Sequence, residues 1–389
     1  MTVIGVTGTK GKTTVVELLH GILQQSGNRV ASVSSLRFRI GDTETPNHLG
    51  MTMPGRFFLQ RFFSRAAKAG CSYAVVEVTS QGVEQYRHRF IRFDAAVMTN
   101  VFPEHIEAHG GFEPYIRAKL DFFWRLPKTG IAVINRGSPY YERFTAATAA
   151  EICRYGIEKI EYKKNIWPVR NFQQGINGIM FDMKGNQIKS RLQGGFNAEN
   201  ILAAIAVCLA LRIPLEKIAQ GIRMLDIVPG RMEIIQSKPF SVVVDYAHTP
   251  DSLESVYRAL AAGEGLGRMI CVLGAAGGGR DIWKRPEFGK IAAHFCQEII
   301  ITNEDPFDEK PEKIMEDIAG GVRQSEYTGA LSLVADRREA IHNAISSERE
   351  GDTVIITGKG SESFIRGAEG ERIAWDDRTV AREEIANRP

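Results

Sequence analysis

The densest chemistry in this sequence lies near its start, in Thr7-Gly8-Thr9-Lys10-Gly11-Lys12-Thr13-Thr14. Glycines let backbone N–H groups approach anionic oxygens, a lysine neutralises a transferring phosphoryl group, and a threonine hydroxyl holds Mg²⁺. The octapeptide sits between an apolar run at residues 3–6 and a helical pattern that reaches Ser26 and stops at Gly27. Strand, glycine-rich turn and helix are the setting that a phosphate loop requires. The strict spacing would place glycine at position 6, where valine stands, so the motif is a shortened variant. The phosphates of a nucleotide are the expected ligand, bound by Gly8, Thr9, Lys10, Gly11, Lys12, Thr13 and Thr14.

A second set of chemical groups follows. Residues 73–78 read as a buried strand with Glu77 near its C-terminal end, where open α/β sheets present their ligands. A carboxylate on an apolar strand is costly to bury unless it meets a cation, which makes Glu77 a candidate metal ligand. Residues 99–110 carry His105 and His109, four apart and able to share a helical face. No glutamate follows the first histidine, so the zinc-protease pattern is not met. With Glu77 and a hard ion such as Mg²⁺, one histidine would complete a second metal site, an isolated surface position being the default for either.

The elements that must hold these groups are legible as alternation. Short Val- and Ile-rich runs at 3–6, 74–78, 95–98, 131–134, 242–245, 269–273, 299–302 and 354–357 are separated by amphipathic, helix-length segments. That is the pattern of parallel sheets covered on both faces by helices, an α/β class. The 389 residues exceed what one core usually serves. Val228-Pro229-Gly230 marks a boundary, giving a phosphate-loop ATPase domain with a mostly parallel sheet over 1–229 and a C-terminal Rossmann-like α/β domain over 230–389. Turn signals at Gly175, Gly178 and Gly185 predict a small antiparallel insertion at about 157–193, and residues 196–212 read as a helix.

Composition narrows the ligands. Forty-nine Lys plus Arg against 46 Asp plus Glu leave +3, too little to indicate a nucleic-acid or membrane surface, and 43% apolar with 24% charged residues excludes disorder. The longest apolar run, 201–211, is too short to cross a bilayer, and the chain opens into a strand pattern without a basic, apolar leader. Five scattered cysteines with no CxxC pair argue against a disulfide framework or a zinc cluster. A cytoplasmic protein acting on small molecules is the expectation.

In order, Thr7 to Thr14, Thr52-Met53-Pro54, Glu77 to Ser80, Thr99-Asn100 through Glu104-His105, Tyr115 to Lys119, Asn197 to Asn200, Pro229 to Glu233, Asp245 to Pro250, Arg280-Asp281 with Lys284-Arg285, and Gly358 to Glu362 resemble the Mur ligases, ATP-dependent amide-forming enzymes of cell-wall peptide synthesis. Within that family Asp245 to Pro250, the Gly-Lys-Gly block and Asp376-Asp377-Arg378 look most like the members that add the third peptide residue. The resemblance implies that ATP phosphorylates a substrate carboxylate and that an amine attacks the acyl phosphate, giving amide, ADP and phosphate. Its partners would be a small carboxylate acceptor and an amino acid.

By the same resemblance Glu77, His105 and a carbamylated Lys119 hold a second Mg²⁺, with Lys12 and Thr13 at the first. A carbamate supplies anionic oxygens where an ammonium would repel the ion. Asn197 or Asn200 would read adenine, Arg231 would swing onto phosphate, Asp245 would meet the ribose side and His248 would lie close to the nucleotide. Substrate contacts would come from Thr52, Thr79, Ser80, Arg280, Asn303, Asp305, Phe307, Lys359 and Glu362.

Three departures from the family pattern stand out. Its complete muramoyl enzymes begin with a domain that grips UDP, whereas the phosphate-loop strand here begins at residue 3. Either the substrate lacks UDP, a partner chain supplies the grip, or only the peptide end is bound. Members that add diaminopimelate carry an arginine where Phe307 stands, so that amino acid is not expected, and Asp305, Asp308 and Glu309 would suit a cationic side chain such as that of lysine. Ser361 and Gln81 replace histidines common in the family. The alternatives are a ligase resembling folylpolyglutamate synthetases and, in another class, a nucleotide-binding scaffold without catalysis.

Overall fold

The computed structural model describes residues 1–104, 106–175, 178–262, 267–279 and 281–388. The chain divides into two units, Met1–Asp226 and Ile227–Pro389.

The first unit is built on a ten-stranded sheet in the order Asn165–Pro168, Lys159–Tyr162, Glu151–Tyr155, Ile131–Asn135, Ala95–Met98, Thr2–Thr7, Tyr73–Glu77, Val30–Val33, Arg37–Ile40, Thr43–Pro46. The six central strands, from Glu151–Tyr155 to Val30–Val33, are parallel, and antiparallel strands extend both margins. The outermost strands at the two margins are each four residues long and each ends in proline. The central runs are apolar throughout because both of their faces are covered. On one face Val3, Ala74, Val76, Ala96 and Ile134 pack with Leu59, Phe62, Phe122 and Phe123 from the helices Arg56–Lys68 and Phe112–Trp124. The helices Lys12–Gln25, Gly195–Ala210 and Leu215–Arg223 pack together on the other face. Arg170–Gly175, Gly178–Met183 and Asn186–Ser190 form a separate three-stranded antiparallel sheet.

The second unit carries a six-stranded sheet, Glu233–Gln236, Ser241–Asp245, Thr353–Thr357, Met269–Leu273, Glu298–Thr302, Ala330–Val334, parallel except for the first strand. Ala340, Ile341, Ala344 and Val380 from the helices Arg337–Ser346 and Asp377–Ala386 cover one face. Elsewhere in the unit the helices Lys284–Phe295 and Pro311–Arg323 meet backbone to backbone. A Cβ on Gly289 would stand 2.1 Å from the Ile318 carbonyl oxygen, and one on Gly321 would stand 1.9 Å from that of Pro286. Only hydrogen fits at either crossing point.

The cysteine expectation needs a correction. Cys271, inside a strand, and Cys296, at the end of the Lys284–Phe295 helix, form a disulfide, while Cys71, Cys153 and Cys208 are free and buried. A separation of 25 residues carries no signal of pairing, because crossover geometry rather than spacing brings the two together. Among the described residues no helix is long and apolar enough to cross a membrane.

Candidate active site

The Thr2–Thr7 strand pairs in parallel with Tyr73–Glu77 on one side and Ala95–Met98 on the other, with Val6 opposite Glu77 and Thr7 opposite Met98. Three chain segments therefore end side by side at the C-terminal margin of the sheet. The phosphate loop leaves the middle one under two steric demands. Gly8 has φ +148° and a Cβ there would fall 1.9 Å from Thr99 Oγ1; Gly11 has φ +79° and a Cβ would fall 2.1 Å from Asn200 Oδ1. Any side chain at either position would push the loop off its supports.

Those supports differ from what the motif alone suggests. Thr9 N–H donates to the Asn100 carbonyl (2.9 Å) and Lys10 N–H to Asn100 Oδ1 (2.8 Å). The Thr9 hydroxyl meets Tyr115 Oη at 2.7 Å and accepts from Phe102 N–H at 2.9 Å, and Lys10 Nζ pairs with the buried Glu104 at 2.9 Å. Thr9 and Lys10, expected on the nucleotide, are thus engaged in fixing the loop. Lys12 Nζ bends back onto the carbonyl oxygens of Gly8 (3.0 Å) and Thr9 (2.8 Å), which keeps the ammonium at the loop. Thr14 is buried behind it.

Lys119, which reads in isolation as a solvated helix lysine, is buried and donates to the Gly8 carbonyl at 2.9 Å. Burial, followed by the nearby charge of Lys12, holds its pKa well below the usual lysine value. Glu77 is also buried, and its Oε1 accepts from the N–H of Ser35 at 2.8 Å. Ser35 Oγ lies 2.9 Å from Thr13 Oγ1, so one serine touches both candidate metal ligands. Sequence reasoning missed Ser35, since a serine in a turn carries no periodic signal, and it placed Asn100, Glu104 and Tyr115 in family-like blocks without giving them a role. His105 and Arg280 lie outside the described residues. Among the described residues no group of three or more His, Cys, Asp or Glu side chains gathers as a metal cage.

Around this centre the other expectations divide. His109 is not an isolated surface histidine: its ring is buried, with Nδ1 2.8 Å from Glu84 Oε1 and Nε2 3.0 Å from Ser80 Oγ. Thr79 caps the short helix Ser80–Glu84 by accepting from Gly82 N–H at 3.0 Å, and Thr52 is half-buried. Asn197 and Asn200 are not caps; Asn197 donates to the Gln193 carbonyl at 2.7 Å and accepts from Asn200 at 3.0 Å. Asn200 lies against Gly11, at the mouth of the loop, and is tied to Asn197 behind it.

In the second unit Asp245 accepts from Met232 N–H and Ala247 N–H, both at 2.7 Å, and so shapes the segment carrying Arg231. Arg231 stacks over Tyr246 at 4.1 Å, and His248 Nδ1 lies 2.7 Å from the Tyr246 carbonyl. The expected cation pocket is corrected here. Asp305 accepts from Lys359 Nζ at 2.7 Å and from Arg366 N–H at 2.9 Å. Asp308 accepts from Glu369 N–H at 2.9 Å, and Glu309 is held by Gly279 N–H and the buried Arg285. Lys359 is fully buried between Asp305 and Glu362, while Asn303 offers its carbonyl to Arg337 at 3.0 Å. An acid already neutralised by a lysine of its own chain has little left to attract another ammonium. Phe307 has φ +52°, and the guanidinium of Arg366 lies 6.0 Å from its ring. Glu304 is buried, its Oε2 has no hydrogen-bond partner, and burial followed by Asp305 pushes its pKa up to about 7.

A phosphate loop at the carboxyl margin of a parallel sheet, a buried lysine on that loop and a second α/β unit define an ATP-using protein of the phosphate-loop class. Residues 6–208 match the Mur ligase middle domain and residues 230–360 the Mur ligase, glutamate ligase domain. The chain belongs to the Mur ligase family, and it is an ATP-dependent ligase. It is 35% identical over 387 residues to the UDP-N-acetylmuramoyl-L-alanyl-D-glutamate--2,6-diaminopimelate ligase of Aquifex aeolicus, covering 98% of this chain and 77% of that enzyme. The ligase of the same name from Gloeobacter violaceus is 37% identical over 396 residues, covering 100% and 78%. A solved structure of such a ligase superimposes with a TM-score of 0.67 at 29% identity, covering 99% of this chain and 78% of that one. Mycobacterium tuberculosis folylpolyglutamate synthase with ADP and AMPPCP shares the fold, with a TM-score of 0.74 at 20% identity over 92% and 88% of the two chains.

Proposed function

We propose that this chain joins an amino acid to the carboxylate of a muramoyl-peptide acceptor through an acyl phosphate, as an ADP-forming ligase of the cytoplasm. The observation that carries the reading is the placement of Lys119, buried against Gly8 of the phosphate loop beside Lys12. Transfer of a phosphoryl group onto a carboxylate brings two anions together; Lys12 and a bound Mg²⁺ would screen them, with Lys119 placed to help hold the ion. Lys12 and Asn200 bind and orient the nucleotide.

The donors fit Mg²⁺. Thr13 and Glu77 offer hard oxygens within reach of one serine, and this ion needs few protein ligands because it keeps water and phosphate oxygens. Bound there, it would screen the phosphate charge. Burial and the nearby Lys12 shift Lys119 toward its neutral amine, the form that reacts with CO₂, so Lys119 is suited to become a carbamate and add an anionic donor. Thr79 and Ser80, at the start of their short helix, would contact the acceptor.

For the incoming amino acid, the neutralised Asp305 removes the main support for a lysine pocket. Arg366, which pairs with Asp305 at 3.8 Å and lies 6.0 Å from the Phe307 ring, would have to turn from that acid to meet a side chain ending in a carboxylate, as in the 2,6-diaminopimelate of the relatives. The test is product mass after incubation with ATP, Mg²⁺ and UDP-N-acetylmuramoyl-L-alanyl-D-glutamate, or its UDP-free counterpart, with meso-diaminopimelate, lysine or glutamate in parallel. Phosphate release that needs both acceptor and amine, with a matching amide product, is expected; release indifferent to every amine would sink the reading.

A further inference from the structure

The helix that follows the phosphate loop carries an ion cluster for which the reaction has no direct use. Thr13, Glu17 and His20 share one face of Lys12–Gln25 by their spacing. Glu17 is 1% exposed, accepts from Arg37 at 2.6 Å and from Ser34 Oγ at 3.4 Å, and also pairs with Arg39. Arg37 and Arg39 alternate on the Arg37–Ile40 strand and so project from the same side of the sheet. That strand returns antiparallel to Val30–Val33, and the turn between them consists of Ser34, Ser35 and Leu36. Ser34 Oγ closes the turn by accepting from Leu36 and Arg37 N–H, both at 3.2 Å. Ser35 then reaches both Glu77 and Thr13.

We propose that Glu17, Arg37 and Arg39 are positioning residues for the Mg²⁺–triphosphate site, clamping the 34–36 turn so that Ser35 holds Thr13 and Glu77 in register. This rests on the assignment of Thr13 and Glu77 to that ion. The physical reason for an ion cluster here is direction. Apolar side chains would fill the same space, yet they would leave the turn free to slide along the helix. A carboxylate gripped by two guanidiniums fixes both distance and angle between helix and strand. His20, one turn further on, adds no competing charge, since burial and then Arg39 and Arg37 hold its pKa down to about 3.

The experiment measures binding of a fluorescent ATP analogue to the full chain as Mg²⁺ is titrated, alongside phosphate release. Glu17→Gln and Ser35→Ala are each expected to raise the half-saturating Mg²⁺ concentration about tenfold, the usual consequence of removing a group that orients a ligand. Binding without Mg²⁺ and KM for the amine stay as in the parent chain. The double variant is expected to do no more than either single one, because both act through one turn. Ser35→Ala leaves all three charges paired and keeps the N–H on Glu77, removing only the hydroxyl that meets Thr13, so it reports even if Glu17→Gln fails to fold. The triple neutral variant Glu17→Gln, Arg37→Gln, Arg39→Gln is expected to repeat the shift. Additive effects, or a parental Mg²⁺ dependence in Ser35→Ala, would overturn the clamp. Glu77→Gln separates the layers: if it responds to Mg²⁺ as the parent does, the ion assignment and the clamp both fall. If only Glu77→Gln responds abnormally, the clamp falls alone.

Discussion

Lys119 and Lys359 are both buried lysines, one in each unit, and their surroundings are opposite. Lys119 ends on a carbonyl oxygen with Lys12 nearby, and burial followed by that charge lowers its pKa. Burial would lower Lys359 as well, but Glu362 and Asp305 outweigh it and raise the value. An amine held against a carbonyl oxygen and beside a cation is shifted toward its neutral form and poised for modification; a lysine held by two carboxylates is part of the framework. Residue type and burial cannot separate these roles, whereas the sign of the neighbours can.

The comparison breaks most readily at the first site. Lys12→Ala and Lys119→Met are each expected to cut turnover about a thousandfold or more, read as phosphate release, while the urea midpoint stays near that of the parent chain. Lys359→Met should do the reverse to stability. It leaves the buried Asp305 without its lysine, and the half-exposed Glu362 with it, and is expected to cost about 3 kcal/mol in urea unfolding. Equal stability losses at 119 and 359 would erase the distinction drawn between them.

Protonation sharpens it further. Glu304 has its folded pKa raised to about 7, so the fold binds a proton that the unfolded chain gives up near the ordinary carboxylate value. The stability this contributes is complete below about pH 4.5 and is lost as pH rises through 7, by up to roughly 3 kcal/mol. His20 has its folded value lowered to about 3, and its contribution is present above about pH 6.5 and lost on acidification. Hydrogen exchange of the intact chain is therefore expected to show the second unit loosening toward alkaline pH and the first toward acid, with Glu304→Gln flattening the former. The smallest expected effect is steric. Gly321→Ala should cost about 1–3 kcal/mol by forcing apart the Lys284–Phe295 and Pro311–Arg323 helices, measured as a lower urea midpoint.

The alternating apolar runs exposed the α/β architecture, since a strand covered on both faces has to be apolar along its length. Thr7 to Thr14 and Glu77 were likewise readable, one from a local motif and the other from a charge where none belongs. Lys119 was readable only through the family, because an amphipathic helix tolerates a lysine on either face. Ser35 left no trace, as its role depends on a turn whose position is set by a distant carboxylate. The pairing of Asp305 with Lys359 spans 54 residues and joins the segments after two parallel strands, Glu298–Thr302 and Thr353–Thr357, that have Met269–Leu273 between them, which local spacing does not encode. In the acidic loop, composition suggested a site for a ligand's positive charge, and the chain supplies that charge itself.

The prolines at the ends of the two outermost strands of the large sheet bear on the chain's behaviour in company. A parallel sheet that simply stopped would offer a row of unsatisfied donors and acceptors to any neighbour. Here Pro46 and Pro168 each delete a donor on a short border strand, so that fibre-like stacking of copies finds poor purchase at either flank.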